Sequence, residues 1–164
     1  MSYKVTKGDA PALERGADSE KSSFQTFEDL EVYKSAREFR KVMYGVTRRL
    51  PDFEKYDLVS QIRRAAISLT NNIAEGHGRF HYPDQIRFIL HSRGSLEELV
   101  DDLNVCLDEK YLPSDEVAKL KEQARCALIL INGYLRYLRS HSSSVRETDG
   151  EAPTTIDSLE DLPL

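Results

Sequence analysis

Residues 58–79 read LVSQIRRAAISLTNNIAEGHGR, and the fold follows from how that stretch is laid on a helix. At 100° per residue, Leu58, Ile62, Ala65, Leu69 and Ile73 fall on one face. Gln61, Arg64, Ser68, Asn71, Asn72 and Glu75 fall on an adjoining face. The apolar stripe belongs against a core. The polar one is less ordinary, because tandem asparagine inside a helix competes with the backbone for hydrogen bonds. Arg64 with Ser68, and Asn72 with Glu75, stand at neighbouring-turn spacings. The stripe is therefore expected to form a linked, buried hydrogen-bond network or an interface.

Working outward, residues 28–50 carry an apolar seam at Val32, Ala36, Phe39, Met43, Val46 and Leu50, and Pro51 ends it. Asp52 is a plausible N-cap for the second helix, expected over 53–75, and Gly76 and Gly78 supply its stop through positive φ. Pro83 opens a third helix over 83–110 with the seam Ile86, Ile89, Arg93, Leu96, Val100, Leu103 and Leu107. Gly94 and Ser95, midway along it, suit a close helix approach beside the polar stripe. Pro113 breaks the chain, and Ser114 is expected to cap a fourth helix over 114–141. That helix carries the seam Val117, Leu120, Ala124, Ala127, Ile131, Tyr134 and Leu138. No segment alternates like a strand, so the expected fold is all-α, an antiparallel up-down-up-down four-helix bundle over 27–141. Residues 1–26 and 142–164 are polar and aperiodic, and are expected as disordered arms, the second one acidic. Val59, Ile67, Ala74, Leu128, Leu130 and Leu135 remain as surplus apolar positions, which points to burial against further copies of the chain.

The net charge of −5 is unevenly distributed. Residues 34–93 hold 12 basic and 6 acidic side chains, whereas residues 94–116 hold 8 acidic and one basic. The bundle is expected to be an electrostatic dipole. Arg37, Arg40, Lys41, Arg48, Arg49, Arg63, Arg64 and Arg79 form the one constellation suited to a polyanion, since phosphate neutralisation needs clustered cations rather than a fixed order. The competing use is intersubunit ion pairing with the acidic third helix.

Other chemistry finds little support. Gly76-His77-Gly78-Arg79 lacks the spacing of a phosphate loop and follows no strand. His77, His81 and His91 gain no convincing fourth ligand, so no metal is expected. Glu97, Glu98, Asp101 and Asp102 lack the Glu-x-x-His partner of a di-iron bundle. No nucleophile stands beside a base at a recognisable spacing; no catalytic residue and no cofactor are expected, and the protein reads as a non-enzyme. Cys106 and Cys126 stand alone and are expected as small core residues in a reducing cytoplasm. No apolar run reaches the roughly 20 residues that cross a bilayer, and no membrane partner is expected. The N-terminus has no secretory signal.

Specific residues add a resemblance. Phe27-Glu28-Asp29-Leu30, Val32-Tyr33, Tyr44, Leu50-Pro51, Gln61-Ile62-Arg63-Arg64-Ala65-Ala66, Ser68, Asn71-Asn72-Ile73-Ala74-Glu75-Gly76, Arg79, Phe88, Gly94-Ser95-Leu96 and Glu98-Leu99 resemble the four-helix-bundle family of 23S rRNA intervening-sequence proteins. Mild departures from that pattern stand at Thr70, where proline is frequent, and at Ser92, where alanine is. The resemblance implies a homopentameric ring. It also implies kinship with the accessory protein of diversity-generating retroelements, which binds nucleic acid and a reverse transcriptase through a basic surface. The expected function is RNA or DNA binding through Arg37, Arg40, Lys41, Arg48, Arg63, Arg64 and Arg79. The alternative is an oligomeric scaffold that recruits a protein partner such as a reverse transcriptase, without touching nucleic acid.

Overall fold

A computed structural model of the chain describes residues 26–148, with side chains to residue 142. The N-terminal arm up to residue 25 and the tail from residue 149 lie outside the described residues. Among the described residues the structure is all-helical, with no strand. Four helices make it up: α1 (Glu31–Thr47), α2 (Leu58–His77), α3 (Tyr82–Asp108) and α4 (Ser114–Thr148). Successive helices run in opposite directions. Arg40 meets Thr70 while Thr47 meets Arg63, and Ser92 meets Leu69 while Glu98 meets Arg64. Asn104 meets Lys121 while Tyr82 meets His141.

The helix ends differ from the sequence expectation for local reasons. A single 3-10 turn over Phe27–Asp29 precedes α1 and carries a capping box, in which Thr26 Oγ1 accepts from Glu28 N and Asp29 Oδ2 accepts from Thr26 N. Helix α1 stops at Thr47, short of Pro51, and its last amides tighten to i→i−3 bonds, Arg48 N to the Gly45 carbonyl and Arg49 N to that of Val46. Asp52 does not cap α2. It opens a second 3-10 turn over Asp52–Tyr56, and α2 begins at Leu58, whose amide is taken by Glu54 Oε2 at 3.3 Å. Ser114 is the first residue of α4 rather than its cap, and Pro113 supplies the carbonyl for Val117 N. Helix α4 runs on to Thr148, seven residues past its expected end at His141, so the first part of the supposed tail is helical.

The glycines also depart from expectation. Gly78 has φ −76°, and no described glycine has a positive φ. The left-handed residue is Lys110, at φ 59°. Gly76 serves closeness instead: a Cβ there would meet Phe88 Cβ at 3.1 Å and the Gln85 carbonyl at 3.3 Å. Gly94 opposes nothing within 4 Å, so the close approach expected there is absent from the protomer.

The core is one cluster that takes the expected seams of α1, α2 and α4 almost whole; on α4, Tyr134 is only half-buried. Val59 and Leu135, expected as surplus, belong to it; Ile67 and Leu130 stay exposed. On α3 the buried line shifts by one residue from Arg93, Val100 and Leu107 to Ser92, Leu99 and Cys106. Cys106 is buried, and Cys126, expected in the core, is exposed on α4.

Candidate nucleic-acid interface

Arg40 and Tyr44 stand four apart on one face of α1, and Arg48, the helix's C-cap, continues that line. With Lys41 and with Ile67 from α2 they line an open groove. A second groove continues from Arg48 past Thr47, Asp52, Lys55, Tyr56 and Ser60 to Arg63. Two of these guanidinium groups are fixed by hydroxyls rather than by carboxylates. Arg40 Nη1 donates to Thr70 Oγ1 at 2.8 Å, and Arg63 Nε donates to Thr47 Oγ1 at 3.2 Å while lying 5.6 Å over the Tyr44 ring. A hydroxyl orients a guanidinium without neutralising it. Among the described residues, Arg40, Arg48 and Arg63 form no salt bridge. Lys41 is partly engaged by Glu38, whose carboxyl is held below its usual range by that ammonium. Thr70 is thus the anchor of Arg40, and its own hydroxyl donates to the Ile67 carbonyl.

The rest of the basic constellation is directed elsewhere. Adjacent helix positions diverge by 100°, so Arg63 faces α1 while Arg64 faces α3 and pairs with Glu98 at 3.2 Å. Arg79 pairs with Glu75, one turn back. Arg49 makes a two-pronged pair with Glu116 at the start of α4, and its hydrogen bonds, aided by its charge, lower the Glu116 carboxyl. Arg37 lies 3.6 Å from Glu38. Part of the expected ion pairing between basic and acidic segments is therefore made within the protomer.

The polar stripe of α2 splits in the same way. Asn72 Nδ2 donates to the Ser68 carbonyl at 2.8 Å and to Ser68 Oγ at 3.0 Å. Ser95 Oγ lies 2.8 Å from Ser68 Oγ and 3.1 Å from the His91 carbonyl. These three residues make one half-buried knot between α2 and α3. Gln61, Arg64, Asn71 and Glu75 are exposed, and the bonds just described leave them out of it. The knot floors an open groove edged by Phe88, Leu90, His91, Gly94 and Glu98. Ser92 donates to the Leu69 carbonyl at 2.6 Å in a fully buried bond.

The acidic run on α3 contains one anomalous group. Asp102 is buried, and its Oδ2 has no hydrogen-bond partner among the described residues. Burial pushes its carboxyl up to about 6, with Asp101 and Glu98 adding and Arg64 opposing. Among the described residues no cluster of three or more His, Cys, Asp or Glu is placed to hold a metal, and no helix is long and apolar enough to cross a membrane.

Sequence reasoning passed over Thr47, Lys55 and Tyr56 in the groove, and gave Thr70 no part in holding Arg40. The available signal was the four-residue repeat Arg40, Tyr44, Arg48, an aromatic interleaved with cations on one helix face. Residues 28–133 of the chain match the family described as 23S rRNA-intervening sequence protein. No curated protein matches the chain.

Proposed function

Because the chain belongs to the 23S rRNA-intervening sequence protein family, we propose that it is a non-enzymatic RNA-binding protein that grips the phosphate backbone through the α1–α2 groove. The observation that carries this reading is the set Arg40, Arg48 and Arg63, gathered with Lys41 and Lys55 along two grooves that share Arg48, with Arg40 and Arg63 held by hydroxyls that leave their charge intact. Clustered, un-neutralised guanidiniums release counterions from a polyanion, whatever its sequence. Arg64 and Arg79, already paired with carboxylates, contribute less.

The test is fluorescence anisotropy of a structured RNA at two salt concentrations. Reversing Arg40 and Arg48 to glutamate is expected to weaken binding by roughly a hundredfold at about 50 mM salt, with a shallower salt slope. Reversing Arg64 and Arg79 is expected to cost far less. Equal losses in both variants would remove the groove from the account. Absence of wild-type binding at about 50 mM salt would leave the scaffold reading, with a protein as partner.

Self-association accompanies this function. Cys126, Ile129, Leu130, Gly133 and Tyr137 repeat at helical spacing along the outside of α4, with Ile129 and Tyr137 each 52% exposed. A Cβ on Gly133 would meet nothing within 4 Å, which leaves room for another helix. A face of this kind suits a second copy of the chain. Head-to-tail contacts between copies close into a ring or run on as a filament, and a soluble assembly requires the ring.

A further inference from the structure

We infer that the connection between α2 and α3 is a base-stacking site, in which Phe80 takes an unpaired nucleobase from a single-stranded nucleic acid. The inference rests on the nucleic-acid reading above but concerns a different surface. It lies at the end of the bundle away from Arg48 and Arg63, where α2 finishes and α3 begins.

Phe80 is 91% exposed, more than any other large apolar side chain among the described residues. Such a residue on a floppy loop would carry little information. This loop is held on both sides of it. Gln85 Nε2 donates to the Arg79 carbonyl at 2.9 Å, and Gln85 N donates to the His81 carbonyl at 3.1 Å. Arg79 N is bonded to the Gly76 carbonyl at 3.1 Å. The absence of a Cβ at Gly76 lets the two helices close to van der Waals contact beneath the loop. The backbone around Phe80 is thus fixed, and its ring is projected outward, perpendicular to that of His81 at 5.1 Å between centroids.

The surroundings select the partner. The guanidinium groups of Arg79 and Arg87 both lie on the Phe88 ring, at 4.7 and 5.5 Å from its centroid. Arg79 adjoins Phe80 in the chain, and the two cations gathered on Phe88 next to this loop match a phosphate–base repeat, in which the base stacks on Phe80 and the flanking phosphates meet the charges. An apolar protein partner would instead have to desolvate both guanidiniums. Glu75 shares the charge of Arg79, and Asp84 stands in the first turn of α3. Arg87 forms no salt bridge among the described residues. Duplex RNA buries its base faces, so only a single strand can use Phe80.

The experiment titrates wild type, Phe80→Ala and Phe80→Tyr against a fluorescent oligouridine strand and against an RNA duplex of equal length. Phe80→Ala is expected to weaken single-strand binding by roughly tenfold and to leave duplex binding unchanged, and Phe80→Tyr is expected to retain both affinities. With 5-bromouridine in the strand, illumination is expected to place the crosslink on the tryptic peptide of residues 80–87. Unchanged single-strand affinity in Phe80→Ala overturns the inference. So does an equal loss on both probes, or a loss of self-association by light scattering with strand binding intact, which would make Phe80 a protein contact. Wild type that binds duplex but not the strand overturns this inference alone. Wild type that binds neither removes the nucleic-acid reading on which it rests.

Discussion

Lys110 shows at single-residue scale how much a sequence conceals. Its φ of 59° ends α3 in a Schellman motif: Tyr111 N bonds to the Cys106 carbonyl at 2.9 Å and Lys110 N to that of Leu107 at 3.1 Å. Glycine is the usual residue there and would have announced the stop; a lysine announces nothing. A non-glycine residue in this region costs about 1 kcal/mol. Lys110→Gly is therefore expected to raise unfolding stability by about 0.5–1 kcal/mol in urea titration, with the helix content unchanged. Asp102 was visible only as one member of an acidic run, and its burial follows from the one-residue shift of the α3 core line. Its carboxyl rises from 3.8 to about 6 in the folded protein. The folded state thus holds the proton more tightly than the unfolded chain does. Below about pH 4 both states are protonated and there is no penalty; between about pH 4 and 6 the penalty grows, and above about pH 6 it is complete. Asp102→Asn is expected to stabilise by on the order of 1–3 kcal/mol at about pH 8, with the gain vanishing towards pH 4. A gain independent of pH would contradict the assignment.

Among the elements, α2 was the most legible and α3 the least. The five apolar positions first read on α2 are all buried, because one helix face meets one core. Helix α3 packs against both α2 and α4, and a seam read at 3.5 residues drifts from a helix of 3.6. Two of the buried side chains that meet α2, Ser92 and Ser95, are small and polar and carry no hydrophobic signal. In the groove, the arginines were legible as a cluster. Which of them keep their charge was not, since that depends on Thr47, Thr70, Glu98 and Glu75 lying across or along the helices. The α2–α3 pairing also separates the two glycines that looked alike. Gly76→Ala drives a Cβ against Phe88 Cβ and the Gln85 carbonyl, and is expected to lower stability by about 1–3 kcal/mol. Gly94→Ala meets open space and is expected to raise protomer stability by up to about 1 kcal/mol. Paired thermal melts of the two variants decide this; a destabilising Gly94→Ala would place another chain against that surface.

At the scale of the whole molecule, the surfaces divide by chemistry. The α1–α2 face carries exposed cations, the α2–α3 end presents aromatic rings, and the outside of α4 is apolar. Ile129→Asp on that third face is expected to reduce the mass seen by light scattering to one chain while leaving the helical signal intact, since Ile129 is exposed. The same face bears Cys126, exposed, whereas Cys106 is buried and its thiol is pushed up to about 11 by burial. A maleimide dye therefore has one address per chain without any engineering. Dye uptake that slows as the protein is concentrated would report, molecule by molecule, the moment at which neighbours cover α4.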